Sequence, residues 1–228
     1  RGAKADGADF IPELIEEGIR VFLVHEDWQV DKKQTDIATF IFTKDTRQAL
    51  QKIAAFQRSI FTKPVVGITG SNGKTIIKEW LGQVLSQRFA VAKSPKSYNS
   101  QVGVPLSIFG IQVYHQVAIL EAGVSKSGDM ETLSQMILPD LGIFTNIGSA
   151  HEEGFSGLQE KIQEKLKLFS KSKLLVYCKD HHPLAKEIES QISSEKLISW
   201  SKKPGADFSI TWKILEGKTR IVLMKSDL

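Results

Sequence analysis

The segment Gly67-Ile68-Thr69-Gly70-Ser71-Asn72-Gly73-Lys74-Thr75 constrains this chain more than any other. It overlaps an apolar run beginning at Val65 and opens onto Lys74 to Gln87, where Ile77, Trp80, Leu81, Val84 and Leu85 recur at helical spacing and are expected to face inward. Strand, glycine turn and helix in that order bring backbone N–H groups together at a helix N-terminus, where the helix dipole adds partial positive charge. Such a turn holds phosphate oxygens. Lys74 would reach the terminal phosphates, and Thr75 would offer its hydroxyl to Mg²⁺. The common spacing G-x-x-x-x-G-K-[ST] asks for glycine at position 68, and Ile68 stands there; the glycines fall instead at 67, 70 and 73. A turn without ligand is the bland alternative, and it requires strand, three glycines, Lys-Thr and an amphipathic helix to coincide.

The stretch beyond the loop predicts an α/β fold, a mostly parallel sheet covered by helices. Short apolar runs at Phe89 to Ala92, Val117 to Leu120, Leu141 to Thr145 and Lys173 to Tyr177 alternate with helical stretches at Asp129 to Ile137 and Gly157 to Ser170. Ligands of such sheets sit at the carboxyl ends of the strands. Phe208 to Leu215 and Thr219 to Met224, joined by Glu216-Gly217-Lys218, read as a hairpin. Before the loop, Phe10 to Gly18, Arg20 to Val24 and Ala38 to Thr43 read as helix, strand and strand of a small α/β unit, followed by a helix from Asp45 to Ser59 capped by Thr43 or Asp45. Pro64 holds its predecessor extended, which sets the expected boundary between residues 1–63 and 64–228.

The bulk properties narrow the partners. In 228 residues a net charge of +4 is too mild, and Lys and Glu alternate too evenly, for a nucleic-acid face. No run of about eighteen uncharged apolar residues predicts a membrane span. The single Cys178 has no intrachain partner, suits a reducing compartment and reads as inert packing.

Three further residues share the expected site. Glu121 closes the apolar run Val117 to Leu120, where a phosphoryl-transfer site places a carboxylate for its metal; a solvated strand-end Glu is the plain alternative. His151 follows the run Leu141 to Thr145 through Asn146-Ile147-Gly148-Ser149-Ala150, on the same sheet edge, as a metal ligand or an ordinary loop histidine. Lys165 falls inside the apolar arc Leu158, Ile162, Leu166, Leu168 and Phe169. It must either snorkel, as Lys161 at the arc's margin is expected to do, or lower its pKa and react as a neutral amine.

Taken in order, Gly67 to Thr75, Asn99-Ser100-Gln101-Val102-Gly103-Val104-Pro105, Leu120 to Gly123, Thr145 to His151 and Lys165 resemble the Mur ligases of peptidoglycan synthesis over nearly the whole chain. Within that family the Asn99 and Thr145 strings are most similar to the branch that joins D-alanyl-D-alanine to UDP-MurNAc-tripeptide, the MurF type. The resemblance implies a cytoplasmic, monomeric, ATP- and Mg²⁺-dependent amide ligase working through an acyl phosphate. It also implies three domains: part of an N-terminal UDP-substrate domain in residues 1–63, most of the ATPase domain in 64–228, and a C-terminal ligase domain absent from the chain, which by itself would then be inactive. By resemblance Gly70, Ser71, Asn72, Gly73, Lys74 and Thr75 hold ATP, and Thr75, Glu121, His151 and Lys165 serve the metals, Lys165 as a carbamylated lysine. Lys74, His151 and Lys165 are the catalytic set, and Asn99, Ser100 and Gln101 lie near the muramoyl substrate. Ile76, Ile77, Gln101 and Lys167 depart from the family's usual residues, which leaves open another Mur ligase, a folylpolyglutamate-type ligase or a binding fragment.

Overall fold

The structure is a computed structural model that describes residues 6–148 and 154–226. Its contacts divide the chain into two units, between Lys52 and Ile53.

The first unit is small. A short turn at Gly7–Phe10, capped by the Asp6 carboxylate, leads into α1 (Ile11–Glu16). Strands β1 (Val21–His25) and β2 (Thr39–Thr43) pair in parallel, and between them one helical turn forms, α2 (Lys32–Thr35), because Asp31 and Gln34 make a capping box. Ile11, Phe22 and Val24 form the core, with Phe22 stacked on Phe40 at 5.4 Å. Helix α3 (Thr46–Ile60) follows, with the Asp45 carboxylate accepting from Gln48 N at 2.9 Å.

The second unit is built on an eight-stranded sheet. Its strands are β3 (Val65–Thr69), β4 (Val91–Lys93), β5 (Val117–Glu121), β6 (Leu141–Phe144), β7 (Leu174–Cys178), β8 (Leu197–Ser201), β9 (Phe208–Leu215) and β10 (Lys218–Lys225). The spatial order is β4-β5-β3-β6-β7-β8-β9-β10, parallel throughout except for the β9–β10 hairpin. From β3 the chain moves outward to β4 and β5 on one side, then crosses to β6, β7 and β8 on the other. That reversal puts the end of β3 at the point where such sheets bind ligands.

The helices between the strands are α4 (Lys74–Leu85), α5 (Gly103–Phe109), α6 (Asp129–Ile137), α7 (Leu158–Leu166) and α8 (His182–Gln191). All five β3 residues are buried because both faces of the strand are covered. On one face Val66, Ile68 and Ile119 pack with Ile77, Leu81 and Leu85 of α4. On the other, Val65, Ala118 and Leu120 join the cluster supplied by α5, α6, α7 and α8.

Two of the expected inward residues of α4 point outward: Trp80 and Val84 are exposed. The helix offers two apolar stripes about 100° apart, and the sheet takes the one of Ile77, Leu81 and Leu85, beside which Gly82, lacking a side chain, lets Lys93 of β4 approach. Cys178 is buried and unbonded, as expected.

Candidate active site

Why glycine stands at 70 and 73 is clear from the backbone. Gly70 has φ = +143°, and a Cβ there would meet Thr145 Oγ1 at 2.0 Å; Gly73, at φ = +80°, is the residue from which α4 starts. The loop they frame is stitched to the segment after β6. Ser71 N donates to Asn146 O at 2.9 Å and Asn72 N to Asn146 Oδ1 at 3.0 Å, while Thr145 Oγ1 and Asn146 Nδ2 donate back to Asn72 O at 2.6 and 3.2 Å. Gly148 N donates to Ser71 Oγ at 3.0 Å. With the amides of Ser71 and Asn72 committed in this way, the anion-facing donors are those of the first turn of α4, before the bond from Ile77 N to Gly73 O begins the helical ladder.

Around this turn the structure gathers charge. Lys74 Nζ lies over its own loop, donating to Gly70 O at 2.9 Å and Ser71 O at 3.1 Å. Thr75 Oγ1 is 3.0 and 3.2 Å from the two oxygens of Glu121, which is itself fully buried at the end of β5. Lys165 does not snorkel: it is 2% exposed, with Nζ 3.5 Å from Gly70 O. Lys161, expected to reach water, is 1% exposed and donates to Gly148 O. The loop after β6 folds over that side of α7 and supplies a carbonyl where the helix alone would have led to solvent.

Lys74, Lys161 and Lys165 thus share a low-dielectric corner with the Glu121 and Glu164 carboxylates. Burial lowers the Lys165 pKa to about 8, and the nearby Lys74 and Lys161 cations push the same way, with Glu164 opposing them. Burial also lowers the Lys74 pKa, offset in part by Glu121, with Lys161 lowering it further. An excess of positive charge at a helix N-terminus is suited to a polyanion such as a triphosphate.

The expected substrate residues separate. Asn99 joins the site, its Nδ2 donating to Glu121 Oε1 at 2.7 Å, an approach that Gly123 permits. Ser100 accepts from Gly103 N at 3.1 Å at the start of α5, and Gln101 donates to Asp129 O at 2.7 Å. His151 lies outside the described residues. Among the described residues no three His, Cys, Asp or Glu side chains converge on a metal position.

Sequence reading missed Thr145 and Asn146, which hold the loop, and Lys78, which is fully buried with Nζ 3.8 Å from Glu121 Oε2. On a helical wheel Lys78 falls just outside the apolar arc read from Ile77, Trp80, Leu81, Val84 and Leu85, so the reasoning used for Lys165 does not single it out; it is buried because the face of α4 turned to the sheet runs on through Lys78 and Gly82.

This arrangement has known counterparts. Residues 68–226 match the Mur ligase middle domain and residues 1–58 the catalytic domain of the Mur ligase family. The chain is 37% identical over 177 residues to the UDP-N-acetylmuramoyl-tripeptide--D-alanyl-D-alanine ligase of Treponema pallidum, covering 75% of this chain and 38% of that protein. The MurF ligase of Thermotoga maritima, solved in complex with ADP, superposes with a TM-score of 0.83 at 28% identity over 99% of this chain and 53% of its own. MurF from Acinetobacter baumannii shares the fold, with a TM-score of 0.86 at 24% identity over 99% of this chain and 49% of its own. The chain therefore spans about two fifths to one half of the relatives it matches. With its phosphate loop, its strand-end Glu121 and a family model matched from residue 68 to 226, the chain belongs to the Mur ligase family.

Proposed function

We propose that the protein is the ATP-dependent ligase that joins D-alanyl-D-alanine to UDP-MurNAc-tripeptide. The observation that carries this reading is the meeting of Lys74, Thr75, Glu121 and the buried Lys165 around one helix N-terminus, in a chain whose relatives bear that ligase's name. Residues 1–63 would serve the UDP-linked substrate and residues 64–228 the nucleotide. The enzyme would work as a monomer in the cytoplasm; among the described residues no helix is long and apolar enough to cross a membrane.

A carboxylate resists amine attack because its leaving group would be oxide. In the proposed reaction a carboxylate oxygen of the tripeptide terminus bonds to the γ-phosphorus of ATP while the bond to the β-bridging oxygen breaks and ADP leaves. The D-alanyl-D-alanine amine then attacks the acyl carbon, inorganic phosphate departs, and the amine proton is lost. Lys74 follows the transferring phosphoryl group with its ammonium, and the first amides of α4 fix the phosphates, so that charge developing on them meets donors already in place.

The residues present fit Mg²⁺: the Thr75 hydroxyl and the Glu121 carboxylate are hard oxygen donors side by side, the sparse protein set this ion takes when phosphates and water complete its shell. Bound there, it would withdraw charge from phosphate oxygens. His151 would add an imidazole to the metal set. Lys165, with its pKa lowered to about 8, keeps a share of neutral amine near neutrality. That amine can bond to the carbon of CO₂ and lose a proton, which replaces a costly buried cation with a carbamate.

Replacing Lys74 by Ala in the full-length protein is expected to abolish acyl-phosphate formation, followed as ADP release with UDP-MurNAc-tripeptide present. Near-normal ADP release by Lys74→Ala sinks the assignment.

A further inference from the structure

Lys78 is one turn beyond Lys74 on α4 and has no exposed surface, a rare condition for a lysine. Its ammonium reaches three elements of the fold. It donates to the backbone carbonyl of Lys96, lies 3.8 Å from Glu121 Oε2 on β5, and sits 3.2 Å from Glu79 Oε1 on its own helix. Lys96 belongs to the loop between β4 and α5 and holds φ = +47°, the left-handed region that L side chains seldom enter. The same loop carries Ser97, whose hydroxyl is 3.3 Å from Thr75 Oγ1, and Asn99, which holds the other oxygen of Glu121.

We infer that Lys78 is a positioning residue whose buried ammonium ties the loop 94–101 to Glu121, so that the loop carrying Asn99 and the phosphate loop behave as one rigid assembly. The inference rests on the ligase reading, in which Asn99 faces the UDP-linked acceptor and Glu121 the nucleotide. The ammonium donates to the Lys96 carbonyl while its charge faces the carboxylates of Glu79 on its own helix and Glu121 on β5, so one group links three segments. Without it, the carbonyl of a strained residue loses its donor, and the buried Glu121 carboxylate keeps only the neutral donors Thr75 and Asn99. The loop then samples positions from which Asn99 no longer meets Glu121, and the acceptor is held less tightly.

The test compares Lys78→Met with Lys78→Arg in the full-length protein by amide hydrogen exchange and by steady-state kinetics. Lys78→Met is expected to speed exchange in residues 94–101 about tenfold while leaving β7 unchanged. It should raise KM for UDP-MurNAc-tripeptide about tenfold, the usual scale for a group that orients a ligand-binding residue, with kcat and KM for ATP moving less than about threefold. Lys78→Arg, which keeps a cation, should recover most of both effects. Unchanged exchange at 94–101 in Lys78→Met, or a loss in kcat with KM unmoved, overturns the inference. Should Lys78→Met fail to fold, Lys78→Gln, which keeps a donor and removes only the charge, is judged by the same two readouts. A wild-type protein that does not turn over UDP-MurNAc-tripeptide removes the ligase reading, while the exchange comparison still decides whether Lys78 tethers the loop.

Discussion

The centre and the far edge of the same sheet invert the usual placement of polar and apolar groups. Around the ends of β3 and β5, Lys78, Glu121, Lys161 and Lys165 are all at least 98% buried. Along β10 every residue is exposed, and Ile214 on β9 shows 74% of its surface. These two departures differ in cost. An exposed isoleucine forgoes a gain it would have made on burial, whereas a buried charge must recover several kcal/mol of lost hydration through its partners. Among the described residues no buried side-chain nitrogen or oxygen lacks a partner, so the centre meets that cost with a closed network. Opening the network should therefore destabilise the molecule far more than altering the hairpin.

Glu121→Ala gives the largest expected effect. It leaves the Lys78 ammonium buried without its β5 carboxylate and takes acceptors from Thr75 and Asn99, a break that typically costs about 3–5 kcal/mol. Urea unfolding of the variant against the parent measures it. A loss below about 1 kcal/mol would show that Glu79 and the Lys96 carbonyl suffice for Lys78, and the contrast between the two regions would weaken.

A second effect is a pH dependence that only the centre should show. Lys165 titrates near 8 in the folded chain and at an ordinary lysine value, 10.5, when unfolded. Between these values the unfolded state binds the extra proton, so the contribution of Lys165 to stability rises with pH from about 8 to 10.5 and is flat on either side. The gain is on the order of 3 kcal/mol, and Lys74, shifted in the same direction, adds to it. Unfolding free energies across this range in CO₂-free buffer should slope more positively in the parent than in Lys165→Met. Cys178 and Tyr177, whose pKa values burial raises, pull the other way in both proteins, so the Lys165 effect is the parent's slope minus the variant's, and a difference that is zero or negative contradicts the burial of a neutral amine.

How much of this was legible in the sequence depended on whether the signal was local. Strand β3, the start of α4, helix α6 and the hairpin were readable because each announces itself within a few residues: an apolar run, a glycine before Lys-Thr, a 3.6 period, and Glu216-Gly217, both with positive φ in a two-residue turn. Helices α5 and α8 and strand β8 were not: α5 is seven residues long, and although α8 and β8 are as long as elements that were read, α8 buries only Leu184, Ala185 and Ile188, and β8 only Ser199 and Ser201. The choice between the two stripes of α4 was lost for a different reason, since Ile77 with Leu81 and Trp80 with Val84 are equally apolar and only the neighbouring strand distinguishes them. In the site, Lys74, Thr75 and Glu121 were legible from motif and strand end, whereas the wheel marked Lys165 as anomalous and left its burial open. Lys161 was misplaced because its acceptor is the carbonyl of Gly148, on a loop that no helical wheel contains.

The smallest expected effect lies at the far edge. Ile214 and Ile221 sit on paired strands, with Ile214 opposite Thr219 and Ile221 opposite Trp212, and both are mostly exposed, at 74% and 68%. Replacing either by Thr keeps the β-branched stem that suits a strand and removes only apolar surface already in water. Each change should therefore move the unfolding free energy by no more than about 0.5 kcal/mol. Trp212 is a stricter probe, because Lys202 Nζ stands 5.3 Å from its ring centre; Trp212→Thr should cost about 1 kcal/mol, most of it from that one contact. A loss above about 2 kcal/mol for Ile214→Thr would mean that the hairpin carries folding stability despite its exposure, and the two ends of the sheet would then differ in polarity without differing in energetic weight.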